Sequence, residues 1–325
     1  MSKCYLFDLD GTLLTSEKKL PEGTLTVLEE YRRAGSLIGV VTSRSESNIR
    51  SFMGSLAPDI LITSGGADLK IRGEQIFCSA FKAEQVTEMI ATARALIKDV
   101  NITVDAADGS FYRNYRAEDD ALEASWGDSI QAELDIFEKP ALKVCFEIFD
   151  EDKADELIAR LPSCDAVRFT DGFWYKFTPH GVNKESAIIK ACKYLGIETS
   201  DIIAFGDDIA DIGMLKLAGI GVAMGNSVPE LKETADVVIG SNDDDGIEIY
   251  LRQLRVARME EIFDRVSAER GRAKVADIKQ LEDYMTGCFK SDYEADEKGL
   301  FDARMKRGVL AQDAIYNLLD DIELE

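Results

Sequence analysis

The chain of 325 residues carries one histidine, His180, and only six prolines, none of them beyond Pro229. A lone histidine at a junction between segments is a weak catalytic candidate, and no role is assigned to it. The six cysteines, at 4, 78, 145, 164, 192 and 288, include no CxxC pair. Scattered through apolar surroundings, they are expected as buried free thiols, the state a reducing cytosol maintains. There is no basic stripe, and the formal net charge is −23. Nucleic acid is therefore excluded as a partner, and so is an anionic membrane surface. No apolar run approaches the ~20 residues needed to span a bilayer. The first residues read directly into a strand without a basic n-region and apolar h-region, so no signal peptide is expected and a cytoplasmic location follows.

What is present is ordinary for a globular protein: 46% hydrophobic residues, enough for a sizeable core, over a length that favours more than one domain. The acidity raises one difficulty. An anionic substrate would need a local cation, a metal ion or a lysine, to reverse the field.

Residues 3–8, 36–43 and 59–64 are continuous apolar runs that read as buried strands. Helical periodicity over 22–34 and 45–56 separates them. Strand–helix alternation of this kind predicts a parallel sheet covered on both faces. A β-rich passage follows at 70–80 and a helix at 82–98. Hairpins are then predicted across Asp108–Gly109 and Asp171–Gly172, with a strand at 141–149 and a helix at 151–161 between them. Hairpins mean an antiparallel sheet, hence a different α+β module. The parallel pattern resumes with a helix at 184–195, stopped by Gly196, and strands at 201–207, 220–224 and 235–240. The expected organisation is a Rossmann-like, doubly wound α/β core in two parts, 1–80 and 179–252. An inserted α+β cap occupies 81–178, and a helical C-terminal extension 253–325. Apolar residues at helical spacing in that extension suggest packing or a homo-oligomer rather than catalysis.

Ligands of open parallel sheets bind beyond the carboxyl ends of the strands. Those ends supply Asp8 and Asp10 in "FDLDGT", then Thr42 and Ser43, then Ser64, Gly65 and Gly66, and finally Asp207, Asp208 and Asp211; Lys184 begins the helix after the insert. Carboxylates that converge are costly unless a cation joins them. Magnesium, with oxygen ligands and positions left for water and phosphate, is the economical choice.

These motifs, in this order, resemble those of the haloacid dehalogenase superfamily of phosphohydrolases. "FDLDGT" resembles the first motif, "VVTSR" at 40–44 the second, Lys184 in "GVNKESAI" the third and "GDDIADIGML" at 206–215 the fourth. "GVAMGNS" at 221–227 is similar to a signature of the Cof-type branch, whose cap is inserted between the second and third motifs. The resemblance implies Asp8 as nucleophile, forming an aspartyl-phosphate, and Asp10 as general acid and base. It implies Mg2+ held by Asp8, the Asp10 carbonyl, Asp207 and Asp211, with Thr42, Ser43 and Lys184 on the phosphoryl oxygens and Gly11 and Asn226 beside them. The implied activity is a magnesium-dependent phosphatase acting on a small phosphorylated metabolite, with a sugar phosphate as the leading class. A phosphomannomutase-like phosphomutase and a catalytically degenerate binding protein stand as alternatives. The chain departs from the family pattern at Ala210 and Gly65, each commonly Asn, and at Ser43, commonly Gly; none of these removes a nucleophile, a metal acid or the lysine.

Overall fold

The computed structural model describes residues 4–50, 52–116, 129–169 and 172–255. The expected helical extension and its homo-oligomer fall almost wholly outside those residues. The chain separates into two compact units, one of Met1–Glu22 with Leu37–Gly246, the other of Gly23–Ser36 with the chain from Ile247 onward.

In chain order the first elements are β1 (Cys4–Phe7), α1 (Glu22–Arg33), β2 (Leu37–Val41), α2 (Glu46–Ile49), β3 (Ile60–Thr63), β4 (Asp68–Ile71) and β5 (Glu74–Cys78). Next come α3 (Ala83–Leu96), β6 (Ile102–Ala106), β7 (Phe111–Arg113), β8 (Ile130–Gln131), β9 (Ala141–Glu147), α4 (Glu151–Arg160), β10 (Cys164–Arg168) and β11 (Trp174–Pro179). The last are α5 (Lys184–Leu195), β12 (Ile202–Gly206), α6 (Ile212–Leu217), β13 (Ile220–Ala223), α7 (Pro229–Thr234) and β14 (Val237–Val238), followed by a helix over 246–255.

The first unit contains two sheets. The larger has the order β14-β13-β12-β1-β2-β3-β4-β5, parallel from β14 to β3 and closed by the antiparallel β4 and β5. This is the expected α/β core. Every side chain of β1 is buried, which is why the strand reads as an unbroken apolar run, each large side chain contributing about 1.5–3 kcal/mol on burial. One face is covered by Ala187, Ile188 and Ala191 of α5, Met214 and Leu215 of α6, and Leu231 of α7. Phe7 and Phe205 of the paired β1 and β12 stack at 4.6 Å between ring centroids.

The smaller sheet, β10-β11-β9-β6-β7-β8, is antiparallel except at its β7–β8 edge. Strand alternation divides its residues between two faces. Ile102, Val104, Val144, Phe146, Tyr175 and Phe177 pack with Val86, Met89 and Ile90 of α3 and Leu157 of α4. The register pairs Asp105 with Lys143, Thr103 with Cys145, and Lys176 with Cys145, so the opposite face carries Thr103, Asp105, Lys143 and Lys176. All four are nonetheless buried.

Two expectations need correction. The helix predicted over 45–56 is only α2: Phe52 and Met53 both donate to the Ile49 carbonyl, and Gly54 beyond them is left-handed (φ +55°), which a continuing helix does not allow. The cysteines are not uniformly buried: Cys4, Cys145 and Cys192 are, but Cys164 is half-buried and Cys78, at the end of edge strand β5, is exposed. Cys288 lies outside the described residues.

In the second unit, α1 buries Thr24, Val27, Leu28, Glu30 and Tyr31. The Tyr31 hydroxyl donates to the Leu251 carbonyl at 2.7 Å, and Arg255 is ion-paired with Glu30.

Candidate active site

β1 lies between β12 and β2, so the residues just past its end meet those just past its neighbours. The Asp8 N–H continues the ladder, donating to the Phe205 carbonyl at 2.9 Å. The chain then turns at Gly11, whose φ is +73°. A Cβ there would stand 2.2 Å from Asp207 Oδ2, so only glycine lets Asp207 approach the loop. The Thr12 hydroxyl donates to Asp207 Oδ1 at 2.7 Å and fixes its rotamer.

Lys184 is the first residue of α5. The helix is capped by Asn183, whose side chain accepts the Ser186 N–H at 2.8 Å, and it ends at Gly196 in the left-handed conformation. A cation at a helix N-terminus opposes the helix dipole. Here it is offset by two carboxylates: Lys184 Nζ donates to Asp8 Oδ1 and to Asp211 Oδ1, each at 2.6 Å. The three side chains are 4%, 11% and 1% exposed. The second oxygen of Asp211 accepts the N–H groups of Asp207 and Asp208 at 3.1 and 3.2 Å, and Asp208 caps the following turn through the Ile209 N–H at 2.7 Å.

Asp8, Asp207 and Asp211 each offer an oxygen, and these atoms all lie within 4.8 Å of one another. Burial raises Asp8 well above the ordinary carboxylate range; Lys184 opposes the rise, while Asp211 and Asp207 add to it. Asp207 is pushed up to about 7, again chiefly by burial, with Thr12 opposing and Asp211 adding. For Lys184 burial alone would lower the pKa, but Asp211 and Asp8 outweigh it and hold the lysine charged. Three carboxylates crowded together, with burial raising Asp8 and Asp207, are the donor set of a hard divalent cation, which would relieve the repulsion. The residues fit such an ion.

Asp10 points elsewhere. Its carboxylate takes a fork from Arg44, Nε to Oδ2 at 2.5 Å and Nη2 to Oδ1 at 2.9 Å, and Lys18 Nζ reaches Oδ1 at 2.7 Å. Burial alone would raise its pKa, but Arg44 and Lys18 together hold it below the ordinary value. Thr42 is buried at the end of β2, its hydroxyl accepting the Arg44 N–H at 3.1 Å. The Ser43 carbonyl accepts Lys143 Nζ at 2.7 Å. The Asn226 side chain is a strut: its amide donates to the Gly11 carbonyl at 2.7 Å, and its oxygen accepts the Asn242 N–H at 3.1 Å. His180 is exposed and hydrogen-bonded to Asp165 at 2.7 Å.

The arrangement thus brings Asp8, Asp207, Asp211 and Lys184 into one cluster and leaves the Asp10 carboxylate in a second, basic pocket. Sequence reading missed Thr12, Lys18, Arg44, Lys143 and Lys176. Arg44, next to Ser43, had the signal of adjacency. Lys143 and Lys176 had none short of the pairing of their strands.

A parallel sheet that gathers acids, a threonine and a lysine at one carboxyl edge, with an antiparallel sheet inserted before that lysine, defines a class of phosphoryl-handling α/β hydrolases. Residues 5–251 match the family described as haloacid dehalogenase-like hydrolase, and the chain belongs to that family. It is a phosphatase of the superfamily. Residues 256–323 match a separate family, described as Domain of unknown function (DUF4298).

Among curated relatives, the 5-amino-6-(5-phospho-D-ribitylamino)uracil phosphatase YcsE of Bacillus subtilis (strain 168) is 27% identical over 253 residues, 77% of this chain and 94% of that protein. A solved phosphatase of the same superfamily from Bacteroides thetaiotaomicron, BT1666, aligns with TM-score 0.67 and 27% identity, covering 78% of this chain and 95% of that one. The HAD subclass IIB sugar phosphatase BT4131 aligns with TM-score 0.65 and 25% identity, covering 78% and 99%. No helix among the described residues is long and apolar enough to cross a membrane.

Proposed function

We propose that this phosphatase hydrolyses a small phosphorylated metabolite, a sugar phosphate being the leading class, through an aspartyl-phosphate on Asp8 and with Mg2+ as cofactor. The observation that carries the reading is the Lys184 bridge between Asp8 and Asp211, with Asp207 beside them at the same strand edge. The named activities of YcsE and BT4131 support a phosphorylated small molecule, and the latter supports a sugar phosphate.

In this reading Asp8 attacks phosphorus as the bond to the leaving alcohol oxygen breaks, and Asp10 gives that oxygen its proton. A water then attacks the phosphoryl group on Asp8. Asp10, now ionised, takes the water's proton, and Asp8 leaves as free carboxylate with inorganic phosphate as product. Arg44 and Lys18 favour the ionised form of Asp10, which suits the second step. Delivering a proton in the first requires those two contacts to loosen. Thr42, Ser43 and Lys184 hold the phosphoryl oxygens. Asp8, the Asp10 carbonyl, Asp207 and Asp211 would hold the cation, which when bound screens the charge of Asp8 from the incoming phosphoryl group.

The segment 81–178 is read as a cap that shields the reaction from water and selects the substrate. Two contacts support this: Ser64 Oγ donates to Asp105 Oδ2 at 2.8 Å in a buried bond, and Lys143 reaches the Ser43 carbonyl in a half-buried one. The reading includes a cytoplasmic location, consistent with free cysteines among the described residues, and no nucleic-acid partner, consistent with the net charge of −23.

A phosphate-ester screen of the purified protein in Mg2+ tests the activity, and beryllium fluoride, which mimics a phosphoryl group on a carboxylate, tests the intermediate. Turnover of a sugar phosphate together with a beryllium adduct at residue 8 is expected. No turnover of any ester would overturn the activity, and an adduct at another residue would overturn the mechanism.

A further inference from the structure

Three ammonium groups gather where the polar face of the smaller sheet meets the strand ends of the larger. Two are neutralised. Lys184 bridges Asp8 and Asp211, and Lys143 Nζ lies 3.1 Å from Asp105 Oδ2 as well as on the Ser43 carbonyl. The third is Lys176 on β11. Its residue is 5% exposed, and among the described residues its ammonium group has neither a hydrogen bond nor an ion pair. The charges that reach it most strongly are the cations of Lys184 and Lys143; Cys145 and Glu185 act on it more weakly, in the opposite sense.

The position of the ammonium group is specified from below. Gly65, in the turn after β3, has φ +71°, and a Cβ there would stand 2.7 Å from Lys176 Nζ. The missing side chain is what lets the lysine settle over the loop beside Lys184.

A buried ammonium group without an anion is destabilising. Its cost falls when an anion enters, and of the three ammonium groups it is the one left without a carboxylate of its own. The phosphoryl group that is transferred already has Lys184 and Thr42. We propose that Lys176, with Lys143 at its side, binds a second anionic group of the substrate, a carboxylate or a second phosphoryl group, and so makes the enzyme selective for doubly anionic esters. The inference rests on the phosphatase reading and names its substrate class more narrowly.

Three probes share a six-carbon chain: glucose 6-phosphate, 6-phosphogluconate, which adds a carboxylate, and glucose 1,6-bisphosphate, which adds a phosphoryl group. The expected result is a kcat/KM at least tenfold higher for one of the last two than for glucose 6-phosphate, expressed mainly in KM. The identity of the favoured probe says which anion the lysine reads. Lys176→Met, close in shape and uncharged, should lower that ratio to near one whatever its absolute rate, while Lys176→Arg should keep a ratio above one. Because the methionine removes an unpaired buried charge, Lys176→Met should also melt at or above the temperature of the parent, which separates a lost contact from a lost fold. Active parent enzyme with no preference for either doubly anionic probe would overturn the proposal, and so would a preference that survives Lys176→Met. Failure of the parent to hydrolyse any of the three, while it turns over another phosphate ester, would overturn the sugar-phosphate reading and this proposal with it.

Discussion

Lys184 Nζ stands 2.6 Å from Asp211 Oδ1, with the lysine side chain 4% and the aspartate side chain 1% exposed. Asp211 is therefore more than a donor to a cation: it neutralises the lysine, and its other oxygen ties down the Asp207 and Asp208 amides. Asp211→Asn should lower turnover by about 10–100-fold, the usual cost of losing a group that orients metal-site residues. It should also lower the melting temperature, because breaking a buried pair leaves charge uncompensated, at a cost of up to about 3–5 kcal/mol. Steady-state kinetics and thermal melting of one preparation check both, and an unchanged melting temperature would mean that Asp8 alone satisfies Lys184.

Asp8→Asn should abolish turnover of every ester. Asparagine keeps the shape but has no attacking carboxylate. The fold should survive, since the substitution removes a charge that burial already disfavours. Phosphate release together with circular dichroism is the measurement, and full activity in the variant would end the covalent mechanism.

Chelation should silence the enzyme and Mg2+ should restore it, because Asp8, Asp207 and Asp211 crowd together with only the single charge of Lys184 to set against three carboxylates. Asp207→Asn should raise the Mg2+ concentration needed for half-maximal activity by about 10–100-fold. Calcium should inhibit, since its longer bonds and looser geometry misplace the phosphoryl group. Undiminished hydrolysis in excess chelator would refute the metal dependence.

Lys176 predicts a dependence of stability on pH. Burial first, then Lys184 and Lys143, lower its pKa to about 8 from the model-peptide value of 10.5. The folded state thus binds the proton less tightly than the unfolded state. The penalty is fully present below pH 8, shrinks as pH rises, and is gone above about 10.5. Lys176→Met should be more stable than the parent at pH 7, and the difference should close between pH 8 and about 10.5. Paired melting curves across that range test this, and a difference that widens with pH would show the sign to be wrong.

The Arg255–Glu30 ion pair fixes where the C-terminal segment can be removed. Truncation after Arg255 should leave turnover in place, because every residue of the acid–lysine cluster lies earlier in the chain. Truncation after residue 252 removes Arg255 and leaves buried Glu30 only the looser Arg252 contact at 3.9 Å, and should lower the melting temperature further. Light scattering of the first variant tests for a change in assembly. Loss of its turnover with mass and melting unchanged would mean that the segment supplies part of the active site.

The core fold and most of the candidate site could be read from the order of the residues. Continuous apolar runs such as Cys4–Phe7 become strands buried on both faces, and a parallel sheet delivers whatever follows each strand to a single edge; hence Asp8, Thr42, Asp207 and Asp211 were legible from order alone. Lys184 was legible because it opens the helix after the insert. The remainder depends on which strand lies beside which. Lys176 and Asp105 read as strand residues of no special interest until the pairing of β11, β9 and β6 sets them with Lys143 on one buried face. Asp10 read, by resemblance, as the general acid and base beside the nucleophile Asp8. Its separate pocket exists because Arg44 and Lys18, distant in sequence from one another, close on it in space. Periodicity reports how each strand divides its residues between two faces, whereas the field at a buried charge is the sum over neighbours that only the folded chain brings within a few ångströms.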